Sequence, residues 1–381
     1  MANRETLTSR ERVKRAVSHE PVDRMPIDLG GHGSTSISAF AYQDLREYLN
    51  LPKKEIEIAD MVQFTPRIHE DILARFHCDC IRLQPEWSKT SEWSPRGRYI
   101  FQVPSHALPS RNKNGDWTVD FNGTMRMPAN GYFFDGDWLD LENRSPDKAL
   151  ELTAKEAERI FNETDYYTIY RNFNAFFHEG DMDWQCRMLT DPDGILQEQQ
   201  ELLDRQILRA EKVIRRMGKY IQAIAVGSDL GLQSGPAINP VIYNELCAPY
   251  LKKFCNYIHD NSELKIFMHC CGSIKQFIPV LIECGIDILN PVQISANDMN
   301  PAELKKTFGE KITFWGGGCN AQFVLNKGTV EDVSENVREL VNIFKANSGY
   351  VFTSVHNIMG NIPPEKITVM YDTAYAESFY D

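Results

Sequence analysis

Eight short apolar runs, most of them followed by a helix-like stretch, constrain the fold of this chain more than any other feature. They cover residues 25–29, 80–83, 186–189, 221–226, 266–269, 286–289, 312–315 and 350–353, and each reads as a buried strand bounded by turn-forming or polar residues. Between them, 195–217, 274–284, 301–308 and 330–346 place apolar residues at three- and four-residue spacing, with Gly218, Gly285 and Gly309 just past three of these stretches. Strands alternating with helices pair in parallel, and eight such units predict an α/β fold of the TIM (β/α)8 barrel type. An open doubly wound sheet is the competing architecture, because periodicity alone does not show closure.

The segment 87–138 breaks the pattern. It carries Trp87, Trp93, Trp117, Tyr132 and Phe133 among the turn signals Ser94-Pro95-Arg96-Gly97, Asn114-Gly115 and Asn122-Gly123, which predicts antiparallel β-hairpins inserted after the second strand. An insertion at a strand C-terminus sits where barrel active sites are built, so it reads as a lid or substrate wall; a surface decoration or an oligomer contact, such as that of a homodimer, carries equal weight. No Pro/Gly/Ser-rich linker divides the chain, and residues 1–381 are expected to form one barrel domain with 87–138 inserted in it.

Composition narrows the function classes. With 42% hydrophobic and 25% charged residues in 381, the chain can bury a large core. A net charge of -12 without a long Lys/Arg run argues against nucleic acid or an anionic membrane surface as partner. No run approaches the roughly 18 apolar residues of a membrane span, and the polar first ten residues do not read as a secretory signal, so a cytoplasmic location is expected. Nine cysteines, an odd number without the spacing of a small disulfide scaffold, point to reduced thiols and leave metal or catalytic use open.

Three residues carry the chemistry. His269 and Cys271 end one apolar run and Cys319 follows another, so all three stand at strand ends. Thiolate and imidazole form the soft set that zinc prefers, and a catalytic zinc site uses three protein ligands with a fourth position open. The alternative is that the cysteines are small buried hydrophobes and His269 a satisfied core histidine, and spacing alone does not choose. Cys78 and Cys80 beside His77 suggest a second metal at first sight, but alternation along a strand favours a structural role.

The chain resembles the uroporphyrinogen decarboxylase superfamily over nearly its whole length. The likeness lies in the opening run 9–31, ending Ile27-Asp28-Leu29-Gly30-Gly31, in Gly227-Ser228-Asp229-Leu230-Gly231, and in His269-Cys270-Cys271-Gly272. It continues in Asp287-Ile288-Leu289-Asn290-Pro291-Val292-Gln293, Gly316-Gly317-Gly318, Val355-His356-Asn357 and 362–367. The resemblance implies a TIM barrel. True decarboxylases of the family use no metal and carry an arginine-bearing segment after the first strand; here that stretch reads Ile27-Asp28-Leu29-Gly30-Gly31-His32-Gly33, without arginine. A highly carboxylated tetrapyrrole needs several cationic partners, so the decarboxylase assignment loses support.

The family's other branch, the zinc-dependent cobalamin-linked methyltransferases such as the methylcobalamin:coenzyme M enzymes, carries a His-x-Cys motif and a later cysteine on zinc, and His269, Cys271 and Cys319 match that pattern. The resemblance therefore implies Zn²⁺, with methylcobalamin or another corrinoid as co-substrate. No Asp-x-His-x-x-Gly corrinoid-binding motif occurs, so the corrinoid is expected on a separate partner protein. Asp229, His356, His32, Asn290 and Gln293 are expected at the substrate, against plain roles as loop caps, backbone-bonded groups or turn formers. The expectation is a zinc-activated methyltransferase working with a corrinoid protein and a small-molecule methyl donor or acceptor: coenzyme M, homocysteine, a pterin, or a methoxylated or methylamine-type donor. A metal-free decarboxylase and a non-catalytic binding subunit stand as alternatives.

Overall fold

The computed structural model describes residues 4–121, 123–136 and 145–380. Six parallel strands, Ile169–Asn174, Ala223–Gly227, Lys265–His269, Ile288–Asn290, Thr313–Trp315 and Tyr350–Val351, each pair with the next in sequence. The ladder continues past both edges. Tyr167 N–H donates to Asp79 O (2.9 Å), Ile81 N–H to Tyr167 O (3.1 Å), and Asp79 N–H to Ile27 O (2.7 Å). On the far side Asp28 N–H donates to Phe352 O (2.8 Å) and Phe352 N–H to Pro26 O (2.9 Å). The segments around Ile27 and Cys80, each joined to a neighbour by a parallel bridge, thus close the sheet into an eight-stranded TIM barrel and leave no exposed sheet edge.

Seven of the eight expected strands fall on barrel strands; the third does not. Residues 186–189 belong to the helix Met182–Thr190, and the third strand is Ile169–Asn174. A four-residue run with three apolar positions around Arg187 fits either state, and here Asp181 caps the helix by accepting from Trp184 N–H (2.9 Å), while Trp184 and Met188 share its buried face. The true strand escapes a hydrophobicity search because Arg171, Asn172 and Asn174 make half of it polar.

Within the barrel, Cys80, Tyr167, Ile169, Ala223, Ala225, Phe267, Ile288, Trp315 and Val351 form a dry core, joined at one end by Val13 and Val17 of the helix Ser9–Val17. Above that helix lies a buried ionic cluster. Asp79 accepts from Arg12 Nη1 (2.6 Å), Arg24 Nη1 (2.8 Å) and the Ile27 amide (2.9 Å), and Arg12 Nε reaches Asp23 (2.7 Å). Asp79 therefore ties the first helix to the first two barrel strands.

After the second strand come the antiparallel pair Thr90–Trp93 with Phe101–Pro104 and a four-stranded antiparallel sheet from Ser110–Arg111 to Asp135–Gly136. Trp93 meets Trp117 edge-on (5.1 Å between centroids) and packs on Phe64 (5.4 Å), so these tryptophans join the segment to the apolar cluster of the rest of the chain. Asn122 and Trp138 lie outside the described residues. Among the described residues no helix is long and apolar enough to cross a membrane.

Candidate metal centre

Strand parity builds the site. Phe267 packs inside the barrel, so His269, two residues on and last in its strand, points to the same side at the C-terminal mouth, and Cys271 follows just past the strand end. Asn290 ends the next strand in register with His269. The Asn290 amide donates to Trp315 O (2.9 Å), and its Oδ1 accepts from Ser34 Oγ (2.7 Å) and contacts His269 Nδ1 (2.7 Å). An acceptor at that position fixes the proton on His269 Nδ1 and leaves the Nε2 lone pair free. Nε2 faces Cys271 Sγ at 3.5 Å.

His356 completes the group. It follows the last barrel strand with φ 62°, a left-handed conformation that costs a non-glycine residue free energy, and Ser354 Oγ donates to its carbonyl (2.7 Å). Its ring lies 5.3 Å from that of His269, and ligand atoms of His269, Cys271 and His356 all fall within 4.8 Å of one another. Asn357 N–H donates to His356 Nδ1 (2.8 Å), so in this conformation the ring proton is on Nε2; coordination through Nε2 requires the other tautomer and the loss of that contact.

The expected third ligand, Cys319, is not in this group. It is fully buried among the apolar side chains packed around the barrel, close enough to Tyr350 and Tyr371 for its charge state to act on both, and burial pushes its thiol up to about 12. Past the run Gly316-Gly317-Gly318 the backbone stays beside the last strand, Gly318 N–H donating to Thr353 O (2.9 Å) and Val355 N–H to Cys319 O (3.4 Å), while the Cys319 side chain packs into the apolar cluster. His356 occupies the place expected for it.

Asp229 and Gln293 hold the His-x-Cys loop. Asp229 Oδ1 accepts from Cys271 N–H (2.8 Å) and Gln293 Oε1 from Gly272 N–H (2.9 Å). Gly272 (φ 86°) lies so close to Gly231 that a Cβ would stand 2.2 Å from its carbonyl carbon. His32 lies beside the cluster, its ring 6.3 Å from that of His269 and its Nδ1 2.8 Å from Ser34 Oγ.

The electrostatics of the cluster favour neutral donors. Burial, then His269, holds the His356 imidazole down to about 3, and burial holds His32 well below its ordinary range. Burial, Asp229 and Cys270 push the Cys271 thiol up. A thiolate there therefore calls for a cation beside it. The donor set fits zinc: with Zn–N at about 2.0 Å and Zn–S at about 2.3 Å, a tetrahedral N···S edge is roughly 3.5 Å, the separation found between His269 Nε2 and Cys271 Sγ. In an Asn290→Ala variant His269 Nδ1 loses its acceptor, and zinc affinity measured by chelator competition is expected to fall by about 10–100-fold.

The sequence did not single out Ser34, which links His32 to Asn290, or Arg82 and Arg171, which converge on Gly33. For the arginines a signal existed: alternation from Cys80 turns Arg82 inward.

The family model for uroporphyrinogen decarboxylase (URO-D) matches residues 181–376, more than half of the chain. Among solved structures, a methyltransferase from Methanosarcina mazei superposes with a TM-score of 0.60 at 14% identity, covering 97% of this chain and 99% of that one, a likeness of fold. A glycoside hydrolase family 5 enzyme from Prevotella bryantii reaches 0.37 at 10% identity over 62% of this chain and 79% of that one. No curated protein matches by sequence. The matched region contains Asp229, His269, Cys271, Asn290, Gln293 and His356, and the chain belongs to the uroporphyrinogen decarboxylase family.

Proposed function

We propose that the protein is a zinc-dependent methyltransferase that moves a methyl group between a corrinoid held on a separate protein and a small thiol, with His269, Cys271 and His356 as the protein ligands. The observation that carries this reading is the convergence of one thiol and two imidazoles at the barrel mouth. When bound, zinc supplies the Lewis acidity that keeps a substrate thiol deprotonated at neutral pH, against a free pKa of about 8.5. The thiolate sulfur forms the new S–CH₃ bond while the Co–C bond breaks and its electron pair stays on the corrinoid. Asn290 orients His269, and Asp229 with Gln293 fixes the backbone that presents Cys271. The fold likeness to a Methanosarcina mazei methyltransferase agrees with the reading.

One thiolate and two neutral imidazoles make a donor set one charge less negative than the set with Cys319. A substrate thiol is then deprotonated more readily, and its thiolate attacks more slowly, since nucleophilicity falls with basicity by a Brønsted factor of about 0.4–0.5.

The family match favours a second reading, a metal-free decarboxylase of a substrate with few carboxylates. The two separate on one assay: cob(I)alamin released from free methylcobalamin with a panel of thiols, on wild type and Cys271→Ser, beside metal analysis. Stoichiometric zinc and turnover, both lost in the variant, support methyl transfer; full turnover in demetallated protein refutes it.

Zinc uptake also has a pH signature. Cys271 binds as thiolate but its thiol is pushed up, so it must release a proton; His356, neutral above about pH 3, has none to release. Calorimetry near neutral pH in buffers of different ionisation enthalpy is expected to show Cys271 contributing about one proton per zinc, a contribution absent in Cys271→Ser, with affinity rising as pH rises.

A further inference from the structure

Beside the metal cluster the barrel mouth holds a second concentration of charge. Arg82 stands two residues after the inward-facing Cys80, and Arg171 two residues after the inward-facing Ile169 in the neighbouring strand, so alternation turns both arginines toward the mouth. Both guanidinium groups reach Gly33: a Cβ there would lie 2.9 Å from Arg171 Nη1 and 3.9 Å from Arg82 Nη2. The next residue along, His32, has its ring 6.3 Å from that of His269.

One of these like charges is buried and the other half-exposed, and the protein supplies a single carboxylate, Asp60, between them. Arg82 is 7% exposed; its Nη1 donates to Thr65 Oγ1 (3.2 Å), while Nε and Nη2 have no hydrogen-bond partner among the described residues. Asp60 stands 3.6 Å from each guanidinium, beyond hydrogen-bond reach, and its Oδ1 already accepts the amides of Val62 and Gln63 (3.0 Å each). Burial and the neighbouring Arg171 draw Arg82 down to about 9. A buried guanidinium with idle donors costs stability, and its forked N–H groups match the oxygens of a carboxylate or a related oxyanion.

We infer that Arg82 and Arg171, converging over Gly33, form a receptor for one oxyanion carried by a small substrate: a carboxylate or a sulfonate. Two guanidinium groups less one carboxylate leave a single positive charge, which suits a monoanion and not a polyacid. A side chain at Gly33 would press on Arg171, its Cβ 2.9 Å from Nη1. That the oxyanion belongs to the methyl donor or acceptor rests on the methyl-transfer reading; the receptor does not.

The test has two arms. In the first, thermal unfolding of the zinc-loaded wild type, Arg82→Gln and Arg171→Gln is followed in sodium acetate and methanesulfonate against chloride at equal ionic strength. The wild type is expected to gain Tm with a saturating dependence on at least one oxyanion, and both variants to lose the response. In chloride, Arg82→Gln is expected to melt at or above the wild-type temperature, because it removes an uncompensated buried charge; a Tm several degrees lower would mark a structural arginine and overturn the proposal. No oxyanion response in the wild type, or a response surviving in both variants, also overturns it. In the second arm, calorimetry compares 3-mercaptopropionate with 3-mercapto-1-propanol. The acid is expected to bind at least ten-fold tighter to the wild type, and equally with the alcohol to both variants, with zinc content unchanged. An oxyanion response in the first arm with no preference for the acid in the second keeps the receptor and refutes its assignment to a thiol substrate.

Discussion

Replacing His356 with alanine is expected to weaken zinc binding by roughly a hundred-fold or more, since four-ligand structural zinc sites carry about 10–16 kcal/mol, some 3 kcal/mol per ligand. Replacing Cys319 with alanine is expected to leave zinc affinity within two- or three-fold of wild type and to act on stability alone, because its side chain packs among apolar residues and outside the His269, Cys271, His356 group. Equilibrium competition against a chromogenic chelator reads both variants on one scale. The opposite pattern, with zinc lost in Cys319→Ala and kept in His356→Ala, would return the third ligand to the cysteine that sequence pattern favours. Alanine keeps a Cβ at this left-handed position and relieves none of its strain, so folding is checked by near-UV circular dichroism before the affinity is interpreted.

The second large effect is on stability. Asp79 is fully buried and receives Arg12, Arg24 and a backbone amide. In Asp79→Ala both guanidinium groups lose that counter-charge inside the protein, and removing one partner of a buried ion pair costs about 3–5 kcal/mol. For a chain of this length that corresponds to a Tm lower by roughly 4–6 °C. The exposed pair Arg75–Asp372 makes the control: its side chains are 38% and 45% accessible, and Asp372→Ala is expected to cost less than about 1 kcal/mol. Equal losses from the two variants would show that the ionic cluster under the barrel does not anchor the first helix.

The strands around Lys265–His269, Ile288–Asn290 and Thr313–Trp315 were legible because they are buried on both faces and so read as continuous apolar runs ending at polar or glycine residues. The strand Ile169–Asn174 was not, because Arg171, Asn172 and Asn174 make half of it polar; one of them, Arg171, belongs to the feature that gives the mouth its charge. Residues 186–189 read as a strand because three apolar positions around Arg187 are too few to separate a period of two from a period of 3.6.

At the site, His269 and Cys271 were legible from a short motif on one strand end. The third position was not. Motif matching prefers a cysteine, but the Cys319 side chain turns into the apolar cluster while the His356 ring, from a left-handed residue after the last strand, joins the group, and neither outcome is written in residue type. Asn290, Asp229 and Gln293 were expected at the substrate; the geometry places each in a hydrogen bond that positions the His-x-Cys loop or its histidine.

The most direct measurement is the zinc K-edge X-ray absorption spectrum of the zinc-loaded protein without substrate. The account predicts one sulfur at about 2.3 Å and two imidazole nitrogens at about 2.0 Å, with the sulfur shell gone in Cys271→Ser and one nitrogen gone in His356→Ala. A spectrum with two sulfurs, or a purified protein that takes up no zinc at this centre, would contradict it.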